Sequence, residues 1–216
     1  MRPLSKIPSD FQKYLGSPHD LCVAPVWNVR SEAHVGCLLY GFKDTSGRWR
    51  RASEANEICD ALKLMEALVL EDGDSPGVGM ILFPVNYEAI RRPTRFYALL
   101  RQIKDLKPAV AKRLIVELVA VPKGHPSHLL LEKVRSLSAV VKQVTMRIQR
   151  TDDIGRKLRA LGIRTITVDF NAVGVQGHAA REKELNRLLL SAHDFGLSTI
   201  VVGVSTLHAL TSSIAA

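Results

Sequence analysis

Asp169 closes the β-branched run Thr165–Val168 in the stretch KLRALGIRTITVDFNAV, where a carboxylate can hold a cation, take up a proton or anchor a polar ligand. Groups that end parallel strands are the ones an α/β fold presents to ligands. Other chemically capable residues are sparse. His125 and His128 form an HPSH pair that offers two imidazoles to a metal, but nothing nearby in sequence completes a ligand set. His193–Asp194 falls at a helix C-terminus, where the dipole favours an imidazolium, so a capping role competes with a catalytic one. Cys37 lies on an apolar strand and reads as a core thiol rather than a nucleophile. DGDSPG, residues 72–77, has a calcium loop's acidic residues without its distal glutamate, and there is no glycine-rich phosphate loop.

These residues need a framework. A helix ending at Leu161 is followed by Gly162, placed for the left-handed cap conformation, and then directly by the strand that carries Asp169. The same rhythm recurs. GMILFPVN leads to a helix carrying Phe96, Leu99, Leu100 and Ile103, RLIVELVAV to one carrying Leu130, Leu131, Val134 and Leu137, and VKQVTMRI to the short DDIGRKLRAL. RTITVDF leads to REKELNRLLLSAHDF, stopped by Gly196, and LSTIVVGV to a final helical piece. Five such units predict a parallel sheet with right-handed crossovers, closed as a barrel. Before them, LCVAPVWNV and HVGCLLYGF flank the turn-like RSEA and predict an antiparallel hairpin. From Ser53 the residues Ile58, Ala61, Leu62, Met65, Leu68 and Val69 recur at helical spacing. Residues 1–20, with three prolines, read as a loosely ordered lead-in, and 21–216 as a single domain.

Composition narrows the function classes. Hydrophobic content of 46% with 24% charged residues describes a globular chain, and no apolar run is long enough to span a bilayer. The N-terminus lacks the apolar core of a signal peptide. Cys22, Cys37 and Cys59 are odd in number and far apart, which suits reduced thiols in a cytoplasm. A net charge of +9 would suit an acidic partner, but the charges read as spread along the chain, and the densest run, RWRR at 48–51, is short. With 6% aromatics, a solvated surface explains these cations better than a nucleic-acid surface does.

The order of motifs resembles the EAL-type cyclic di-GMP phosphodiesterase domain, a modified TIM barrel. VAPVWNVRSEAHVGCLLYGF is similar to that family's opening hairpin, whose second strand bears Glu-Ala-Leu. ILFPVN is similar to its SVN strand and RLIVELVAVP to IELTES. VKQVTMRIQR falls where ALDDFG belongs, LGIRTITVDF on LPVDGLKIDRSF, and AHDFGLSTIVVGVST on ARALGLRVVAEGVET. Placing TVDFN on DDFG instead needs a long insertion and leaves no KID strand. The resemblance covers residues 21–210. It implies an EAL-like (β/α) barrel with an N-terminal antiparallel hairpin, lacking the last strand because the chain stops at Ala216.

The family works with divalent metals held by strand-end carboxylates and an asparagine, which activate water against a phosphodiester. Carried over, the resemblance makes Asn86 the metal-binding asparagine, Glu117 the first glutamate of IELTE, and Asp169 the aspartate of KID. The remaining positions differ. The signature Glu-Ala-Leu is replaced around Cys37-Leu38-Leu39, and the bridging aspartates by Arg147 and Ile148. Thr167 stands for the KID lysine and Val202 for the glutamate of AEGVE. A hard cation wants about six oxygen ligands, and Arg147 repels it.

We therefore expect no enzyme activity, no metal and no cofactor, with Arg147 pairing Glu117 as counter-charge or meeting an anion. Asn86, Glu117 and Asp169 also read as satisfied polar residues at strand ends. The expected function is a catalytically inactive, protein-binding scaffold in bacterial signalling for motility, biofilm or the cell cycle. It would be cytoplasmic and not membrane-bound, and would dock through an exposed seam or the helix at 53–70. The alternatives are a non-hydrolytic cyclic di-GMP receptor and, supported by net charge alone, a nucleic-acid-binding regulator.

Overall fold

The computed structural model describes residues 21–28, 33–43, 49–50, 58–59, 61–63, 65–66, 79–123, 125, 127–173 and 177–202. They fall into two compact units, one running to Val121 and including Ser136–Gln143, the other made of Pro122–Arg135 and the residues from Val144 onward. The lead-in expected at 1–20, the DGDSPG stretch, and residues 203–216, where a last strand is expected to be missing, lie outside the described residues.

In the first unit, β1 (Leu21–Asn28) and β2 (Ala33–Lys43) form the antiparallel hairpin the sequence predicts. A two-residue strand, β3 (Trp49–Arg50), returns onto Phe42 and Lys43 of β2, where the sequence suggested a loop and a charge run. β4 (Met80–Asn86) lies parallel to β2, and β5 (Leu114–Val119) parallel to β4. Both read as near-continuous apolar runs because each of their faces is covered, and Ile81, Leu82, Phe83, Val85, Leu114, Ile115, Val116 and Leu118 are all buried. Gly36 is paired with Met80, and a Cβ there would run into the Met80 carbonyl, so only glycine lets the two backbones come together.

Three helices connect β4 to β5: α1 (Tyr87–Ile90), α2 (Pro93–Lys104) and α3 (Pro108–Ala111). Each of the last two opens on a proline, whose missing N–H is no loss in the first turn. α2 buries Phe96, Leu99, Leu100 and Ile103, the expected apolar stripe. The described residues from 58 to 66 are helical, with Ile58, Ala61, Leu62 and Met65 all buried. The apolar stripe of this part of the helix expected at 53–70 therefore faces the core, while Lys63 is exposed. Glu66 of the same helix accepts the Lys107 N–H at 2.7 Å and so ties the start of α3 to it.

After α4 (Ser127–Ser138), the second unit pairs β6 (Gln143–Ile148), β7 (Thr165–Asp169) and β8 (Ser198–Val202) in parallel, with β7 in the middle. The helix predicted from DDIGRKLRAL is broken. A 3-10 turn at Thr151–Asp153 gives way at Gly155 to the short α5 (Arg156–Ala160). α5 then ends as predicted: Gly162 takes φ +84°, its N–H bonds the Arg159 carbonyl, and Ile163 N–H bonds Leu158. α6 (His178–Asp194) ends in the same six-residue closure, with Gly196 at φ +63° and the pairs Gly196–His193 and Leu197–Ala192. Two such closures each turn a helix straight into a parallel strand. No helix among the described residues is long and apolar enough to cross a membrane.

Candidate functional site

The parallel register sorts the first unit's candidates by face. Pro84 pairs with Glu117, Leu82 with Ile115 and Asn86 with Val119, while Leu38 of β2 pairs with Leu82. Register partners point the same way and side chains alternate along a strand, so Leu38, Asn86 and Glu117 share one face. Glu117 is 0% exposed. Asn86 ends β4 and caps α1, its Oδ1 accepting the Glu88 N–H at 3.0 Å. Of the three residues that stand around the family's signature motif, Leu38 is the one on this face, buried and apolar. Cys37 points to the other side beside Ile81, and burial pushes its thiol up to about 11. By the spacing of the IELTE motif, Ala120 stands at the second glutamate, and it holds φ +57°.

The second unit builds a polar ladder. Thr145 pairs with Thr165 and Arg147 with Thr167, which places these four and Asp169 on one face of β6 and β7. Thr145 Oγ1 donates to the Thr165 carbonyl at 2.7 Å. With its single proton committed there, it accepts from Thr167 Oγ1 at 3.3 Å. At the strand ends, Arg147 Nη1 meets Asp169 Oδ2 at 3.5 Å, with side chains 7% and 10% exposed. The other carboxylate oxygen accepts the Asn171 N–H at 3.1 Å and starts the 3-10 turn Phe170–Ala172. Asp169 is thus a carboxylate placed against Arg147.

Asn86 and Glu117 share a strand face in one unit, and Arg147 and Asp169 pair in the other. The supporting threonines were missed in sequence, although the polar–apolar alternation of QVTMRI and TITVD carried the signal. Asn86 turns its amide oxygen to a backbone N–H, Asp169 divides its oxygens between a guanidinium and a backbone N–H, and Leu38 offers no ligand atom. Among the described residues, no three His, Cys, Asp or Glu stand close enough to share a metal. His125 is half-buried while His128 is exposed, and His193 and Asp194 are exposed in the last turn of α6.

Neither a family model nor a curated protein matches the chain. Solved structures do. A Vibrio cholerae LapD S helix-GGDEF-EAL chain bound to c-di-GMP is 13% identical, with TM-score 0.66, covering 96% of this chain and 55% of its own. The EAL domain of DcpA from Mycobacterium smegmatis is 14% identical with TM-score 0.60, over 90% of this chain and 83% of that one. The FimX EAL domain from Pseudomonas aeruginosa, bound to c-di-GMP, is 14% identical with TM-score 0.57, over 89% and 82%. The chain spans about half the length of the LapD chains it matches. At these identities the likeness is one of fold: the chain has the EAL-like α/β fold that the order of its motifs led us to expect.

Proposed function

We propose that this chain is a catalytically inactive EAL-like module that acts in bacterial c-di-GMP signalling by binding another protein. The observation that carries the reading is the buried pair of Arg147 and Asp169 at the ends of β6 and β7. A guanidinium there supplies the positive charge a divalent cation would bring, but it holds no water that could be activated against a phosphodiester. Asn86 as a helix cap and Leu38 on the Glu117 face support the same conclusion. The role is that of a scaffold in the cytoplasm, in control of motility, biofilm or the cell cycle.

A second reading, a receptor that binds c-di-GMP without cleaving it, is favoured by Arg147, a fixed cation at a strand end, and by LapD and FimX structures that hold c-di-GMP. Calorimetry and product chromatography with c-di-GMP, in magnesium, manganese or chelator, separate the readings. We expect neither heat nor product. Cleavage would overturn the inactive reading. Heat that survives chelation and disappears in Arg147→Ala would establish the receptor instead.

A further inference from the structure

The crossover from β4 to β5, residues 87–113, carries eight Lys or Arg against Glu88 and Asp105, so +6 of the chain's +9 resides there. The charge is concentrated, although its cations are adjacent only in the pairs Arg91–Arg92 and Lys112–Arg113. α2 explains why. Its inner stripe, Phe96, Leu99, Leu100 and Ile103, is buried, and the intervening positions put Arg95, Arg101 and Lys104 outside, with Arg92 exposed at the N-cap. Among them Tyr97 is 54% exposed, with its ring tilted against Phe96 at a centroid distance of 5.6 Å. Tyr97, Arg101 and Lys104 lie at i, i+4 and i+7, one stripe along the outer face.

We propose that this outer face of α2 docks an acidic, amphipathic segment of a partner protein, its carboxylates on Arg101 and Lys104 and an apolar side chain on Tyr97. The inference deepens the protein-binding reading above and rests on it. Guanidinium groups take carboxylates in a two-point fork, and arginine and tyrosine are the side chains most enriched where proteins bind one another. A second copy of this chain is disfavoured: the face would meet its own charge, and the rest of the chain carries a net +3 rather than a net negative charge. A single exposed aromatic falls short of the successive stacking platform that single-stranded nucleic acid uses.

The test is fluorescence anisotropy of the full chain with three labelled probes: a Glu/Leu-rich amphipathic peptide, a short DNA duplex and phosphatidylserine vesicles. The peptide is expected to bind best. Arg101→Glu/Lys104→Glu should weaken it by at least about tenfold. Arg164→Glu/Lys183→Glu makes the same change of charge at exposed positions of the second unit and should leave most of the affinity. Tyr97→Ala should weaken binding severalfold without altering its salt dependence, which a purely electrostatic attraction would not show. Equal losses in the two double variants, no peptide binding, or tighter binding of the duplex or vesicles would overturn the proposal. Turnover of c-di-GMP by the parent chain would instead overturn the functional reading beneath it.

Discussion

Arg147 and Asp169 face each other across the ends of two parallel strands, Nη1 to Oδ2 at 3.5 Å, in a setting that almost excludes solvent. A buried pair of this kind contributes little net stability over an apolar pair, but removing one partner strands the other as an uncompensated charge.

Arg147→Ala is therefore expected to lower the unfolding free energy by about 3 kcal/mol. Arg147→Met combined with Asp169→Asn should recover most of that loss, because asparagine keeps the oxygen that accepts the Asn171 N–H. Urea denaturation decides it, and a double variant as unstable as the single one would show that the loss is not one of charge.

Asn86 separates a capping role from a ligand role. Asn86→Ala should cost about 1 kcal/mol, and Asn86→Ser, which keeps a cap oxygen, much less. Thermal denaturation with and without magnesium reads both roles. Stabilisation of the parent by magnesium that is lost in Asn86→Ala would mark the asparagine as a ligand.

Cys37 carries a pH dependence. Its thiol titrates near 9.0 when unperturbed and about 11 when folded, because burial disfavours the thiolate. Between those values the folded chain keeps a proton that the unfolded chain has released. The contribution is whole below pH 9, is lost as the pH rises through 11, and amounts to roughly 2–3 kcal/mol. Denaturation of the parent and of Cys37→Ala across this range should differ by that decline, and parallel curves would remove it.

Two backbone positions should respond with opposite signs. Gly162→Ala forces a Cβ into the left-handed region and should cost about 1 kcal/mol. Ala120→Gly relieves the same strain at φ +57°, and should gain roughly half as much after the added freedom of the unfolded chain is counted. Chemical denaturation checks both.

The strand–helix rhythm was legible because buried parallel strands are apolar throughout, and Gly162 and Gly196 announced their helix ends. The partner of Arg147 was not legible. Asp169 is 22 residues away, and only the register of β6 on β7 brings the two together. The capping role of Asn86 was hidden because α1 has four residues, too few to show periodicity. The basic outer face of α2 escaped notice for a different reason: its cations are separated by the apolar stripe, so a search for adjacent charges passes over them, and counting by crossover finds them.

The close approach of Gly36 to Met80 also bears on the order of assembly. It joins residues 44 apart in the chain, whereas Thr145 meets Thr165 across 20. Loop-closure entropy alone separates the two by about 0.7 kcal/mol. That difference favours the β6–β7 contact and predicts that the β2–β4 contact, with Gly36, forms after the folding barrier. A side chain at residue 36 should then hasten unfolding and leave the refolding rate nearly unchanged.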